Sequence, residues 1–250
     1  MNFPSTKSRR VAFTLLELLV IVAIVGVLAR LLLPVLSSAK RKAAQTQCIN
    51  NLHQIGAAMM MYLDDNNGIF PGPACQCSYH PQDWIYWRTN TALYPPFEKS
   101  PVAGAMAGAN RSLFRCPLDL NDNDRITAVA GDPNGPYLFS YSLTGYGLDN
   151  GKNIGMSSFF EGPTAYLFKQ HGIHNPSQKI MLAEEPGSNS ANDNPNGDSG
   201  EPINDGRWQP GSEPLTKRHG GGAVVTFADV HVQMVKWEFG ENEANSRPDW

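Results

Sequence analysis

The sequence lacks the motifs that mark the common enzyme classes. Its 250 residues contain no HExxH helix, no glycine-rich strand–turn–helix segment that would cradle a phosphate, and no recognisable pair of a nucleophile and a base. Internal repeats and low-complexity tracts are also absent. The triplet Gly220–Gly222 supplies backbone freedom for a turn rather than a ligand cradle. We therefore expect no catalytic residues and no enzymatic activity.

Positive charge is scarce after the first quarter of the chain. Through Asn67 there are seven Lys/Arg and three Asp/Glu, a net charge of +4, and the total of −3 then leaves −7 for the remainder. An acidic body is a poor phosphate-binding surface. We expect no nucleic-acid partner.

A long apolar segment with one carboxylate near its start is the strongest feature present. It runs from Phe13 to Leu36 and is longer than the roughly 7–15 residues of a signal-peptide core. About 20 apolar residues cross the hydrocarbon of a bilayer. An ionisable group at membrane depth is costly, so Glu17 is a functional candidate by default. Arg30 lies close enough to the end of the span to extend towards the headgroups.

Three simpler interpretations compete for this segment. An ordinary secretory signal fits the basic start and a small-x-small site ending at Ala29, but the apolar run continues beyond that site. A plain membrane anchor fits the length and gives Glu17 no purpose. A twin-arginine signal could use Arg9 and Arg10, although the surrounding residues match poorly.

The stretch RRVAFTLLEL, residues 9–18, resembles the processing site of type IV prepilins and type II secretion pseudopilins. In that family a peptidase removes a short basic leader ending in Gly or Ala, the following Phe is methylated, and the fifth mature residue is Glu. Ala12, Phe13 and Glu17 match this pattern. The resemblance implies cleavage after Ala12, with a prepilin peptidase, other pilin or pseudopilin subunits and inner-membrane lipid as partners.

Charge explains why such a motif would exist. Cleavage would leave a cationic amine on Phe13 and a carboxylate on Glu17 in one low-dielectric layer, where opposite charges offset part of their desolvation cost. In the family, the Glu of an incoming subunit is thought to meet the amine of its neighbour. The pair would then specify axial register in a filament, as a single buried polar residue does in a coiled coil.

The orientation in the membrane follows from the resemblance and not from charge. Three basic residues precede the span and three follow it, so the positive-inside count is tied. The resemblance implies a single pass through the inner membrane, with a cytoplasmic leader and an exported C-terminal head.

The helical pattern continues beyond the membrane span. Apolar side chains recur at three- and four-residue spacing on one face, with Asn50, Asn51 and Gln54 largely off it. The stripe is Ile49, Leu52, Ile55, Met59 and Tyr62. We expect one helix from Phe13 to about Asp65, bent near Pro34. The predicted domains are a leader at 1–12, a transmembrane half-helix at 13–36, an amphipathic half-helix at 37–67 and an exported head at 68–250.

The head is predicted to be α+β, with the second half of the helix packed on a small antiparallel sheet. Tyr137–Leu143 alternates like a strand, Lys179–Ala183 is a short aliphatic run, and 223–237 reads as a C-terminal hairpin. Between them, Gly187–Gly211 reads as a long polar loop.

The hairpin carries a second resemblance. His219 is followed after nine residues by Asp229, similar to the His-x9-Asp-Gly segment found at the C-terminus of prepilin-like proteins. Val230 stands where that segment has Gly, so we expect a different or longer turn than the two-residue type I′ turn. Two roles stay open. His219, Asp229 and His231 could form a metal site, or the first two could hold strand ends while His231 faces solvent.

No cofactor is expected, although calcium remains possible. The long polar loop at Gly187–Gly211 offers hard oxygen ligands, but without the spacing of an EF-hand. They belong to Asp193, Asn194, Asn196, Asp198 and Glu201.

Four cysteines follow the span, at positions 48, 75, 77 and 116. Because a bond between Cys75 and Cys77 would close a very small ring, we expect one of them to pair with Cys48 or Cys116 instead.

The leading functional hypothesis is a structural subunit of a type IV pilus-like or type II pseudopilus filament. The sequence does not distinguish pilus from pseudopilus. Two alternatives from other classes are a membrane-tethered metal-binding or enzymatic head, and a surface glycan-binding module built on Trp84, Tyr86 and Trp87. Packing of these three aromatics in the core is the simpler explanation.

Overall fold

The computed structural model describes residues 15–145, 148–149, 152–153, 155–160, 165–197 and 200–249. The predicted leader, including Ala12, and the expected first mature residue Phe13 lie outside these ranges. The chain divides into two compact units between Lys42 and Ala43.

One long helix, α1, runs from Leu15 to Asp65, as the apolar run and the following stripe predicted. It continues through Pro34, and the bend expected there stays a prediction. The helix ends where Asn67 and Gly68 take positive φ angles of 56° and 71°. The Gly68 amide donates to the Leu63 carbonyl at 2.8 Å, which satisfies a terminal carbonyl in the manner of a Schellman cap.

The helix residues that belong to the second unit form part of its core. Leu52, Ile55 and Met59 are fully buried, as the stripe predicted, and so is Leu63. Asn51 was expected off this face but is buried. The reason is a specific partner: its amide nitrogen donates to the Arg115 carbonyl at 3.2 Å, which compensates its desolvation.

The head contains a five-stranded sheet with the order β5-β1-β4-β6-β7. The strands are β1 Tyr141–Thr144, β4 Ile180–Glu184, β5 Arg207–Trp208, β6 Gly222–Phe227 and β7 Val232–Lys236. Leu143 faces Leu182 across β1 and β4, and Ala223 faces Val235 across β6 and β7. The remaining elements are α2 Pro101–Gly104, α3 Asn123–Ala128 and a small antiparallel pair, β2 Leu148–Asp149 with β3 Lys152–Asn153.

Both faces of the central strands β4 and β6 are buried. Leu182 and Val224 pack with α1 residues such as Leu52 in the larger core. Their strand neighbours, including Ala223 and Val225, belong to a second core closed by Trp237 and Phe239. Since successive side chains of a strand point to opposite faces, one six-residue strand serves two cores.

The predicted α+β class is confirmed, with three corrections to the head. The sheet is mixed rather than antiparallel, because β5 pairs parallel to β1. That strand lies inside the segment Gly187–Gly211, which was predicted to be an unbroken loop. β1 begins only at Tyr141, because Tyr137 and Phe139 pack edge-to-face in an aromatic cluster instead of pairing in the sheet.

The turn between β6 and β7 differs from a two-residue hairpin, as the Val230 substitution predicted. The Val230 amide donates to the Phe227 carbonyl at 2.9 Å, and the Phe227 amide donates to the His231 carbonyl at 2.9 Å. Val230 has a φ of 74°, so the turn has a left-handed third residue, a position that usually takes glycine. Packing of the Val230 side chain against α1 at Gly56 offsets this strain.

A double-mutant cycle tests this contact. A Cβ added at Gly56 would lie 2.9 Å from Val230 Cγ1 and 3.1 Å from Thr226 Cγ2. We expect Gly56→Ala to lower the free energy of unfolding by about 1–2 kcal/mol despite the better helix propensity of alanine. In a Val230→Gly background, thermal unfolding should show at least about 1 kcal/mol less destabilisation.

Ala57 provides the matched control, since it is exposed one position along the same helix. Ala57→Gly measures the helix-propensity difference without the turn contact. Equal effects of Gly56→Ala in the two backgrounds would show that Val230 does not occupy the space above Gly56.

Candidate functional site: the apolar helix and the His219 network

The N-terminal part of α1 is an exposed apolar surface. Every residue from Leu15 to Lys42 is exposed, and the helix contains a window with a mean hydropathy of 2.8. By length and composition it could cross a membrane. Glu17 lies within this surface. An apolar area this large requires lipid or other protein around it.

His219 and Asp229 lie at opposite ends of β6, separated by a strand of about 20 Å. His219 is buried; its amide donates to the Gly222 carbonyl at 3.2 Å, and its Nε2 lies 3.1 Å from the Glu184 carboxylate. Asp229 lies in the hairpin turn, with Oδ1 2.5 Å from His231 Nδ1. The His231 ring stacks on Phe227 with centroids 4.3 Å apart. The structure therefore does not bring His219, Asp229 and His231 together as one metal site.

Arg218, beside the motif histidine, is the centre of a buried ion-pair network. Its side chain is 4 % exposed and contacts Asp193 at 2.8 Å, Asp119 at 3.3 Å and Glu184 at 3.7 Å. Burial lowers the pKa of Arg218, but the three carboxylates outweigh this and raise it above the ordinary value. One guanidinium thus compensates acids from three separate segments.

Asp119 extends the network towards α3. It lies 2.5 Å from Arg125, which also contacts Asp122 at 3.1 Å. Burial raises the pKa of Asp119, while the charges of Arg218 and Arg125 overcome that effect and hold it below its ordinary value. Arg115 closes the outer end with two hydrogen bonds to Asp122, at 2.7 and 3.0 Å.

One of the five candidate calcium ligands, Asp193, is bound by this network. Asp193 Oδ2 accepts from the amides of Gly187 and Ser188 at 2.8 and 2.9 Å, and Oδ1 accepts from Arg218 at 2.8 Å. A carboxylate already bound to an arginine and several other donors is poorly placed to coordinate a cation. Asp198 lies outside the described residues.

The aromatic side chains of the proposed glycan platform belong to the core. Trp84 and Trp87 are buried and donate their indole N–H groups to the carbonyls of Gly206 and Ala74, each at 2.8 Å. Tyr86 is also buried, and its hydroxyl donates to the Pro81 carbonyl. None of the three presents a face to solvent, so the simpler explanation of core packing is confirmed.

The disulfide prediction is wrong. Cys48 pairs with Cys116, and Cys75 pairs with Cys77, with Cα–Cα distances of 5.3 and 5.4 Å. The small ring forms because a chain that turns between Cys75 and Cys77 can bring their sulfurs together. Folding of α1 onto the segment after Phe114 places Cys48 beside Cys116, a proximity that sequence spacing does not reveal.

A second group of acids, Glu185, Glu201 and Glu213, lines a cavity of about 230 Å³. Burial raises the pKa of Glu185 well above its ordinary value and that of Glu213 to about 7, and each carboxylate accepts a short hydrogen bond, from Ser142 and from the Gln209 amide. Glu213 is thus held partly protonated near neutral pH.

Sequence reasoning missed Glu184 and Arg218, although two signals were present. An apolar strand that ends in Glu184 and Glu185 carries charge into a buried sheet, and such a charge needs a cation. Arg218 lies next to His219 in the sequence, in a segment already singled out. Neither signal identifies which acid pairs with which base.

A helix of this length and hydropathy followed by an α+β head is the architecture of a pseudopilin-like protein. A family model described as a protein of unknown function, DUF1559, matches residues 37–183, more than half of the chain. The chain belongs to this family.

Similarity to named proteins points in the same direction. Over 61 residues the chain is 41 % identical to the type II secretion system core protein G of Aeromonas hydrophila, covering 24 % of this chain and 43 % of that protein. It is 28 % identical over 152 residues to core protein G of Escherichia coli K12, covering 56 % of this chain and 93 % of that protein. The chain spans less than half the length of the Aeromonas relative. No solved structure matches the chain significantly.

Proposed function

We propose that the chain is a structural subunit of a pilus-like or type II secretion pseudopilus filament, held in the inner membrane before assembly. The observation that carries this proposal is the exposed apolar surface of α1 from Leu15 to Leu36, with a single carboxylate at Glu17 near its start. Similarity to core protein G supports the same role. The role proposed is mechanical.

Assembly would transfer the apolar helix from lipid to the helices of neighbouring subunits. Lipid tails are as apolar as leucine, so the hydrophobic effect alone gives this transfer little driving force. Specific packing and charge must then decide the position of each subunit. Cleavage after Ala12 would create an amine on Phe13 that pairs with the Glu17 carboxylate of the next subunit and sets the register.

Mass spectrometry of the N-terminus tests the processing step. The full chain is expressed in membranes with and without a prepilin peptidase. We expect loss of residues 1–12 and one added methyl group on Phe13 only when the peptidase is present. Ala12→Leu, which places a bulky side chain at the cut, should block the cleavage, while Val11→Ala one position earlier should allow it.

An intact N-terminus in the presence of the peptidase would contradict the proposal. A chain cut after Ala29 would identify an ordinary secretory signal instead.

A further inference from the structure

Four side chains with metal-binding atoms meet at a single buried point in the head. Cys48 comes from α1, Cys116 from the segment after the short helical turn at 111–114, Glu184 from the end of β4, and His219 from the segment before β6. Their ligand atoms all lie within 4.8 Å of one another. All four residues are buried, and His219 is the most exposed at 7 %.

The distances from His219 Nε2 to its neighbours in this cluster are close to the edges of a tetrahedral site. Cys116 Sγ lies 3.5 Å from His219 Nε2, and Nε2 lies 3.1 and 3.2 Å from the two Glu184 oxygens. Zinc bonds of about 2.3 Å to sulfur and about 2.0–2.1 Å to nitrogen and oxygen give edges of roughly 3.3–3.6 Å where nitrogen or oxygen takes part, and of roughly 3.8 Å between two sulfurs. The imidazole and the carboxylate thus need only small shifts to bind one ion. The two sulfurs cannot bind an ion in this state, because Cys48 and Cys116 are bonded to each other.

We propose that this cluster is a redox-gated metal site, which is a disulfide when oxidised and a tetrahedral site for a zinc-class divalent ion when reduced. A dithiol reductant supplies two electrons that break the Cys48–Cys116 bond, and it becomes a disulfide itself. Two cysteine thiolates result, and the two protons of the reductant pass to solvent. The thiolates, His219 Nε2 and the Glu184 carboxylate then bind the metal.

The donor set and its surroundings select the type of ion. Two thiolates and an imidazole are soft and borderline ligands that favour zinc over calcium or magnesium. Four protein ligands leave no position for water, so the site would be structural. Two thiolates, one carboxylate and a divalent ion sum to −1, and the Arg218 guanidinium lies 3.7 Å from Glu184 to offset this charge.

Burial determines when the metal can enter. Cys48 and Cys116 are 0 and 1 % exposed, so reduction of their disulfide and entry of the ion both require a head that has opened or has not yet folded. The ion would bind as the head folds, before the disulfide forms. The remaining ring nitrogen, His219 Nδ1, is buried and has no hydrogen-bond partner among the described residues, so Nε2 alone orients the ring.

Cobalt spectroscopy tests the site, because thiolate ligands give tetrahedral Co²⁺ an intense sulfur-to-metal charge-transfer band. The full chain in detergent carries Cys75→Ser and Cys77→Ser, so that only the Cys48–Cys116 pair can contribute. It is refolded without oxygen, with a phosphine reductant and one equivalent of Co²⁺. We expect one bound ion per chain with thiolate bands, displacement by Zn²⁺, and no binding to the oxidised chain.

Ligand substitutions identify the other two positions. His219→Ala and Glu184→Gln should each weaken Co²⁺ binding by at least about tenfold, whereas His231→Ala should leave it unchanged. Because these variants could fail to fold, His219→Cys provides a second readout: a third thiolate should strengthen the charge-transfer band. Circular dichroism follows folding in each sample.

Three results would overturn the proposal. One is a reduced chain that folds without taking up cobalt. Another is a reduced chain that fails to fold both with and without cobalt. The third is a thiolate spectrum that His219→Ala and His219→Cys leave unchanged. Processing of the N-terminus is independent of all three, so the filament role would stand or fall separately.

Discussion

Glu17→Ala should reduce incorporation into filaments by at least tenfold while leaving the N-terminal cleavage intact. In the proposed filament, the amine of one subunit lies in an apolar layer and depends on the Glu17 carboxylate of its neighbour. Removing one partner of a buried pair leaves an uncompensated charge at a cost of about 3–5 kcal/mol, and about 1.4 kcal/mol already corresponds to a factor of ten. The measurement is the amount of subunit in sheared filaments relative to the processed pool in membranes.

Two variants separate charge from packing in this experiment. Glu17→Gln keeps the shape of the side chain without its charge and should also fail to assemble. Leu18→Ala removes apolar surface at the adjacent position, which is exposed like Glu17 in the single chain, and should assemble far better. If both Glu17 variants form filaments normally, the proposed charge pair is contradicted and α1 is only a membrane anchor.

Arg218→Met should be the most damaging single substitution in the head. It removes the positive charge that lies within 4 Å of Asp119, Glu184 and Asp193. These acids then lose the Arg218 charge that compensates their burial. Breaking a buried ion pair from one side costs about 3–5 kcal/mol. For a unit of this size, that corresponds to a drop of roughly 10 °C in the unfolding temperature, measured by circular dichroism of the full chain in detergent.

Arg115→Met is the matched control. Arg115 makes a bidentate contact with Asp122, but its side chain is 26 % exposed and water can replace it. We expect a loss of about 1 kcal/mol or less. Equal losses for the two substitutions would show that the network around Arg218 does not stabilise the head.

Features that depend on local pattern could be predicted from the sequence. The helix ends at Asp65 because Asn67 and Gly68 accept positive φ, and the stripe around Leu52 and Ile55 faces the core because its spacing matches the helical period. The hairpin of β6 and β7 follows from β-branched runs around a turn. Even the unusual turn at Val230 was evident from one substitution.

Features that depend on long-range proximity could not be predicted from the sequence. Asn51 was placed off the buried face because its polarity says nothing about the Arg115 carbonyl that receives its hydrogen bond. The same applies to Cys48 and Cys116, which are 68 residues apart.

By itself, therefore, the sequence determined that the chain carries a prepilin-like N-terminus, a membrane-length helix and an α+β head ending in a hairpin. Only the tertiary structure decided that His219 turns away from Asp229 and joins Glu184, Cys116 and the charges around Arg218. Local propensity and periodicity act over a few residues, so they can be read along the chain. A buried charge or thiol is compensated by whichever segment the sheet order brings beside it, and that order exists only once the chain has folded.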